Sequence, residues 1–366
     1  MSQIQSEIVA GVGLITLNRP EALNALSLQM VIDLTKVFTD WRDDPSVEVV
    51  AIRGSNKRGV FGAFCAGGDI RFFHDAAIAN DPALEDFFTA EYSLNNLLYS
   101  YPKPYAAFMD GVIMGGGMGL AQGADLRIVS EGTKMAMPET NIGLFPDVGG
   151  GFFLSRTPGH LGEYLALSGQ MLIGSDALAA DLADGIVASD SMPDLWASLT
   201  ANTQLSAVQR FEQLSDLVSL PSPVSAPTWL DPQIDTIFAL ATVMDMISAL
   251  EQADGDWAAT TLACLRQRSP LMLHVSLEQI RRGRQLTMAD DLRMERNIVH
   301  HCFHTEHLGR SGTSSETVEG IRALVVDKDN SPGWNPARIE DITSDIIEPF
   351  FTSPWPADQH PLKDLD

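Results

Sequence analysis

Basic side chains are scarce in this sequence: 24 lysines and arginines stand against 48 acids over 366 residues, a formal charge of −24 at neutral pH. So acidic a chain repels phosphate backbones and anionic bilayers, which excludes nucleic acid and a membrane surface as main partners. An anionic small molecule stays admissible where backbone donors or a few cations converge. Cysteine is rarer still, and Cys65, Cys264 and Cys302 are an odd set without CxxC spacing. Structural disulfides and a zinc site are thereby disfavoured, and a reducing, cytoplasmic compartment is expected. Uncharged apolar runs approaching eighteen residues are lacking, so no membrane span is expected. The opening MSQIQSEIVAGVGLITLN lacks a basic leader and alternates like a strand, so no targeting segment is expected either. Repeats of about 20–50 residues and low-complexity tracts are missing too. What remains, with 45% hydrophobic and 20% charged residues, is the composition of a folded protein able to bury a large core.

Short apolar strands alternate with helical stretches through the first half. Ile8 to Leu17, Val47 to Ile52, Pro104 to Met109 and Leu126 to Val129 read as strands. Ser27 precedes a helix face made by Leu28, Val31, Ile32, Leu34, Val37, Phe38 and Trp41, and residues 83–100 and 116–123 read as further helices. This alternation predicts an α/β arrangement. Three prolines in Pro221 to Pro227 mark the best boundary, giving a core over 1–220 and a mostly helical region over 229–366. Helix-period patterns in that region cover 232–252, 257–268, 271–282 and 288–307.

Chemistry concentrates in three glycine-rich stretches: Phe64 to Ile70 (FCAGGDI), Asp110 to Leu120 around Gly115-Gly116-Gly117, and Met137 to Gly151. Dinucleotide and P-loop motifs fail, because Leu120 stands where a small residue is needed and no GK[ST] follows. Three glycines after a strand and at a helix start let a ligand approach bare backbone amides, an arrangement suited to an oxyanion; close helix–strand packing is the plain alternative. Glu139 and Asp147 are separated by Gly143 and Pro146, so a loop rather than one helix displays them. Their apolar, glycine-rich setting is unusual for solvated charges.

FCAGGDI, the triple glycine and MPETNIGLFPDVGG together resemble the crotonase (enoyl-CoA hydratase/isomerase) superfamily, and PETxIGLFPDVGGG with EGIRALVVDKDNSPGWNP (319–336) resembles its 3-hydroxyisobutyryl-CoA hydrolase branch. The likeness runs from NRPEALNALS (18–27) to residue 336. It implies a spiral of ββα units with a C-terminal helical region, an acyl-CoA ligand, and two backbone amides polarising the thioester carbonyl, which map to Ala66 and Gly116. Gly67, Gly68, Asp69 and Gly115 become substrate-binding residues. Glu139 matches the catalytic glutamate, Asp147 an acid near the substrate hydroxyl, and Glu91 a further substrate-binding acid among ordinary helix formers. Hydratases carry a second glutamate in GGGxE; here that position is Gly119, which breaks the usual acid pair.

The expected activity is hydrolysis of a 3-hydroxyacyl-CoA, with 3-hydroxyisobutyryl-CoA and valine degradation named by the resemblance alone. No cofactor is expected, CoA being part of the substrate. Self-association is the other partner expectation, with the extra helices folding back on their own chain as its alternative. The rival readings are another crotonase activity and a non-catalytic structural subunit. His300, His301, His304 and His307 fall on one predicted helix, and their i, i+4, i+7 spacing could serve a metal. No metal motif surrounds them, so they read as a packing face, and no metal is expected. Cys65 lies beside the proposed amide donor without a histidine motif and reads as a small buried thiol.

Overall fold

A computed structural model describes residues 2–219, 227 and 229–366. The proline-rich boundary lies outside the described residues except for Pro227. The chain forms two compact units, each discontinuous in sequence: 1–68, 94–136 and 171–227 make the first, and 69–93, 137–170 and 228–366 make the second.

The first unit contains both sheets. Strands β1 (Ile4–Val9), β2 (Val12–Leu17), β3 (Val49–Asn56), β5 (Tyr105–Met109), β7 (Leu126–Ser130) and β10 (Gly185–Val187) line up in chain order, and the short β4 (Gly59–Val60) pairs with β3. From β2 onward the neighbours in this row run parallel. A second sheet joins β6 (Val112–Met114), β8 (Lys134–Ala136) and β9 (Leu172–Ile173). Thus β5 and β6 lead to helix α4 (Gly116–Ala121), and β7 and β8 repeat the same excursion, which is the expected ββα spiral.

Burial explains the parallel row. All six residues of β2 are buried, as parallel strands covered on both faces require. One face packs Val12, Leu14, Val49, Ala51, Phe108 and Ile128 against Trp196, Leu199, Phe211 and Leu214. Helix α1 (Leu28–Arg42), capped by Ser27, packs the Phe38 ring edge-on against Tyr105 with centroids 5.3 Å apart.

Two sequence expectations need correction here. The run Ile8 to Leu17 is not one strand but part of a hairpin, turned by Ala10 and Gly11 at φ 50° and 83°. Positive φ at both turn residues matches strand twist, and Ala-Gly is a weaker turn signal than Asn-Gly. Residues 232–252 are not one helix: Gln233–Ile237 ends early and Thr242 caps Val243–Gln252, its hydroxyl accepting from the Asp245 amide at 3.1 Å.

The second unit is helical among its described residues. It holds α2 (Ile70–Ala79), most of α3 (Ala83–Tyr99), α5 (Gly150–Leu154), α6 (Leu161–Ser168) and the later helices, including Pro270–Gly283 and Met288–Phe303. Phe73, Phe87 and Phe88 form an aromatic cluster, and Phe88 continues it to Phe303 with centroids 5.6 Å apart. No helix among the described residues is long and apolar enough to cross a membrane.

Candidate active site

In the first unit, residues 64–68 of the FCAGGDI stretch run beside β6, with an isolated bridge from Cys65 to Ile113. The Cys65 amide donates to the Val112 carbonyl at 3.0 Å, and the Met114 amide donates back to Cys65 at 3.0 Å. This pairing sets Gly67 against the triple glycine. A Cβ on Gly67, at φ 100°, would lie 3.1 Å from the Met114 carbonyl oxygen and 3.6 Å from the Gly116 nitrogen. Gly117 lies closer still to the Cys65 segment, since a Cβ there would meet the Cys65 carbonyl oxygen at 2.4 Å. Bare backbone is therefore a steric requirement at both positions, and packing alone demands it at Gly117.

The Gly116 amide opens α4, where no intrahelical acceptor exists for it. Gly115 precedes it at φ 46°, ψ −119°. The Ala66 amide, by contrast, donates to the Leu23 carbonyl at 3.0 Å. Gly68 bridges to Leu26. Cys65 is fully buried, as read from the sequence, and its thiol donates to the Asn24 carbonyl at 3.2 Å.

In the second unit, three carboxyls are buried together. Glu91, on α3, is 2% exposed, Glu139 is 7% exposed and Asp147 is 5% exposed. Glu91 is therefore no solvated helix residue, despite its ordinary neighbours. Burial pushes its carboxyl well above the usual range, and the charges of Asp147 and Glu139 add to the effect. Glu139 is raised likewise, by burial and then by Asp147. Asp147 is pushed up to about 6 by burial, against the Tyr92 hydroxyl, which donates to its Oδ2 at 2.8 Å and favours the ionised form. Glu91 Oε1 and Glu139 Oε2 are buried and accept no hydrogen bond within the protein. Such acids need a donor from a ligand or from water, or a proton of their own.

Local sequence explains how Glu139 is held. It begins a short 3-10 turn, Glu139–Ile142, whose carbonyl accepts from Leu144 at 3.0 Å. Thr140 donates to the Leu167 carbonyl at 3.1 Å and its own carbonyl accepts from the Ser269 amide at 3.0 Å. Asp69 caps α2, its Oδ1 accepting from the Phe72 amide at 3.3 Å. Tyr92 was not singled out by the sequence, because a tyrosine in a helix is ordinarily core.

The four histidines do not share one helix. It ends at Phe303, His304 caps it in an extended conformation, and His307 lies in a separate turn. His300 and His304 stack at 4.2 Å and both meet Glu85, which also takes the Arg296 guanidinium. Burial would raise the Glu85 carboxyl, but these partners hold it far below its ordinary value. The ligand atoms of Glu85, His300 and His304 lie within 4.8 Å of one another, the one such set among the described residues. The Arg296 guanidinium already sits on the carboxylate that the two imidazoles meet.

The chain thus has a row of parallel strands with repeated ββα excursions, glycine-exposed amides at a helix start and a buried glutamate in its PETxIG turn. Residues 12–351 match the enoyl-CoA hydratase/isomerase family, and the chain belongs to it. Within that family, it is 39% identical to "3-hydroxyisobutyryl-CoA hydrolase, mitochondrial" of Xenopus tropicalis, over 93% of this chain and 86% of the relative. It is 38% identical to 3-hydroxyisobutyryl-CoA hydrolase 1 of Arabidopsis thaliana, over 96% and 91%. A crystal structure titled carnitinyl-CoA dehydratase, from Mycobacterium thermoresistibile, covers 100% of both chains with TM-score 0.87 at 34% identity. An enoyl-CoA hydratase structure from Rhodobacter sphaeroides covers 96% of this chain and 98% of its own, with TM-score 0.80 at 34% identity.

Proposed function

We propose that the protein hydrolyses 3-hydroxyisobutyryl-CoA, or a close 3-hydroxyacyl-CoA, to the free hydroxy acid and CoA, as a step of valine degradation. One observation carries the reading: Glu139 is buried with an unpartnered oxygen, while position 119, where hydratases keep their other glutamate, is a glycine packed within α4. Hydration needs one group to hold water and another to deliver a proton across the double bond. Thioester hydrolysis needs one nucleophile or base and a polarised carbonyl. The names of the hydrolase relatives support the same choice.

In this mechanism the amides of Gly116 and Ala66 form the oxyanion hole, each contributing about 3 kcal/mol as the thioester oxygen gains charge. Gly116 is the principal donor, since Ala66 must share or release the Leu23 carbonyl. Ionised Glu139 either attacks the carbonyl carbon, expelling CoA thiolate and leaving a mixed anhydride for water to open, or takes a proton from attacking water. Trapping an anhydride with hydroxylamine decides between these routes. Asp147 accepts the substrate's 3-hydroxyl proton in a hydrogen bond. Glu91, Gly67, Gly68, Asp69 and Gly115 complete the substrate contacts, and no separate cofactor takes part.

All these residues fall within 1–220, the crotonase-like core of the proposal, with 229–366 as its C-terminal helical region. Cytoplasmic residence suits three cysteines that form no disulfide in the described structure, and cell fractionation tests it. Self-association through the C-terminal helices is the second partner reading, tested by sedimentation velocity. The decisive experiment measures thiol release from acyl-CoAs with and without a 3-hydroxyl, beside hydration of an enoyl-CoA. Thiol release preferring the hydroxylated substrate upholds the proposal; hydration without thiol release, or turnover of neither, overturns it.

A further inference from the structure

The loop presenting Asp147 adopts a backbone that its sequence does not favour. Val148, the next residue, sits at φ 58°, in the left-handed region where a β-branched side chain is strained. Its restraint comes from two later helices of the same unit. Glu295, on Met288–Phe303, accepts the Gly149 amide at 2.8 Å on Oε2 and the Gly151 amide at 3.0 Å on Oε1. Gln279, on Pro270–Gly283, donates to Glu295 Oε1 at 2.9 Å and to the Pro146 carbonyl at 2.6 Å. Asp291, one turn before Glu295, accepts from the Phe152 amide at 2.8 Å. Backbone on both sides of Asp147-Val148 is thus fastened by Gln279, Asp291 and Glu295, all fully buried. Burial raises the carboxyls of both Asp291 and Glu295, and Asp291 raises Glu295 further, a desolvation cost that apolar residues of equal volume would avoid.

We propose that Glu295 is a positioning residue for substrate recognition: by fastening the Gly149 and Gly151 amides, with Gln279 as its brace, it holds Val148 in its left-handed turn and so fixes Asp147. The proposal deepens the reading of Asp147 as the acceptor for the substrate's 3-hydroxyl, and rests on it. Glu295→Gln keeps the volume but turns one acceptor oxygen into a donor facing a backbone amide. The loop then loses one of its two ties, and Asp147 loses its fixed geometry.

The test is the ratio of kcat/KM for 3-hydroxyisobutyryl-CoA over isobutyryl-CoA, in wild type, Glu295→Gln, Gln279→Met and Asp147→Ala. Glu295→Gln should lower the ratio about tenfold and Gln279→Met should lower it less, because a structural defect would reduce both substrates by one factor. A wild-type ratio in Glu295→Gln overturns the proposal. Should that variant fail to fold, Gln279→Met carries the test, and an unchanged ratio overturns it equally. If Asp147→Ala keeps the wild-type ratio, the reading of Asp147 fails instead. Amide hydrogen exchange at Gly149 and Gly151 then judges the clamp separately: faster exchange in Glu295→Gln upholds it, and unchanged protection overturns it.

Discussion

In the first unit the candidate residues Ala66, Gly67, Gly68, Gly115 and Gly116 offer backbone, whereas in the second Glu91, Glu139 and Asp147 offer carboxyls almost without solvent. Backbone N–H groups do not titrate, so their service depends on space: a Cβ on Gly67 would press on the Met114 carbonyl oxygen at 3.1 Å, beside the triple glycine. The buried carboxyls depend on charge: each is displaced upward by loss of water, Glu91 further by Asp147 and Glu139, and Glu139 further by Asp147. One unit should therefore be sensitive to side-chain size and the other to protonation and to amide-for-acid exchange. That difference gives the molecule two kinds of weak point.

The largest effect should come from the acid side. Glu139→Gln preserves shape but removes the nucleophile or base, so turnover should fall about a thousandfold while acyl-CoA binding, measured by calorimetry, is largely kept. Near-normal turnover would remove Glu139 from the chemistry. For the wild type, kcat/KM should climb with pH well beyond the ordinary carboxylate range, because Glu139 must be ionised and its proton is held by burial and by Asp147. A profile already flat at pH 5 would contradict this.

On the amide side, Gly116→Val should reduce turnover about a hundredfold without altering any titration in the pH–rate profile. If the rate of the folded variant is unchanged, the carbonyl is bound elsewhere. Asp147→Ala should be milder, lowering the preference for the 3-hydroxylated over the saturated substrate about tenfold. Equal loss on both substrates would make Asp147 a brace for its loop.

The last effect falls on stability rather than on rate. Burial pushes Asp291 up to about 7 from an unfolded value near 3.8, so the stability linked to its proton is complete below 3.8 and is lost as pH rises through about 7. Asp291→Asn removes this slope. Denaturant unfolding at pH 5 and 7 should show wild type losing ground to the variant by up to about 1.4 kcal/mol per pH unit. A constant difference would mean that Asp291 does not hold a proton in the folded state.

Much of this division was legible in the sequence, for identifiable reasons. Glycines flanked by strand and helix patterns mark backbone exposure directly, so the Gly115 to Gly117 stretch could be found without coordinates. Glu139 and Asp147 stood out through apolar neighbours adjacent in sequence. Glu91 was named by resemblance, since its own neighbours are ordinary helix formers and its burial depends on distant packing. Tyr92, Gln279, Asp291 and Glu295 carry no local signal at all: the last three reach residues 146–152 across more than a hundred positions. The break between Gln233–Ile237 and Val243–Gln252 was missed because apolar periodicity ran through it, whereas the cap at Thr242 decided the boundary.

The hairpin at the start of the fold has a consequence for handling the protein. Among the described residues strand β1 is paired with β2 alone, and five of its six residues are exposed. Strand β2 beside it reads VGLITL and is buried throughout. Proteolytic loss of the first ten residues would strip the cover from one edge of that strand, leaving an apolar row of unpaired amides and carbonyls to recruit the same strand of another copy. A nicked preparation would then show light scattering and precipitation while every residue discussed for the chemistry was still present in the chain.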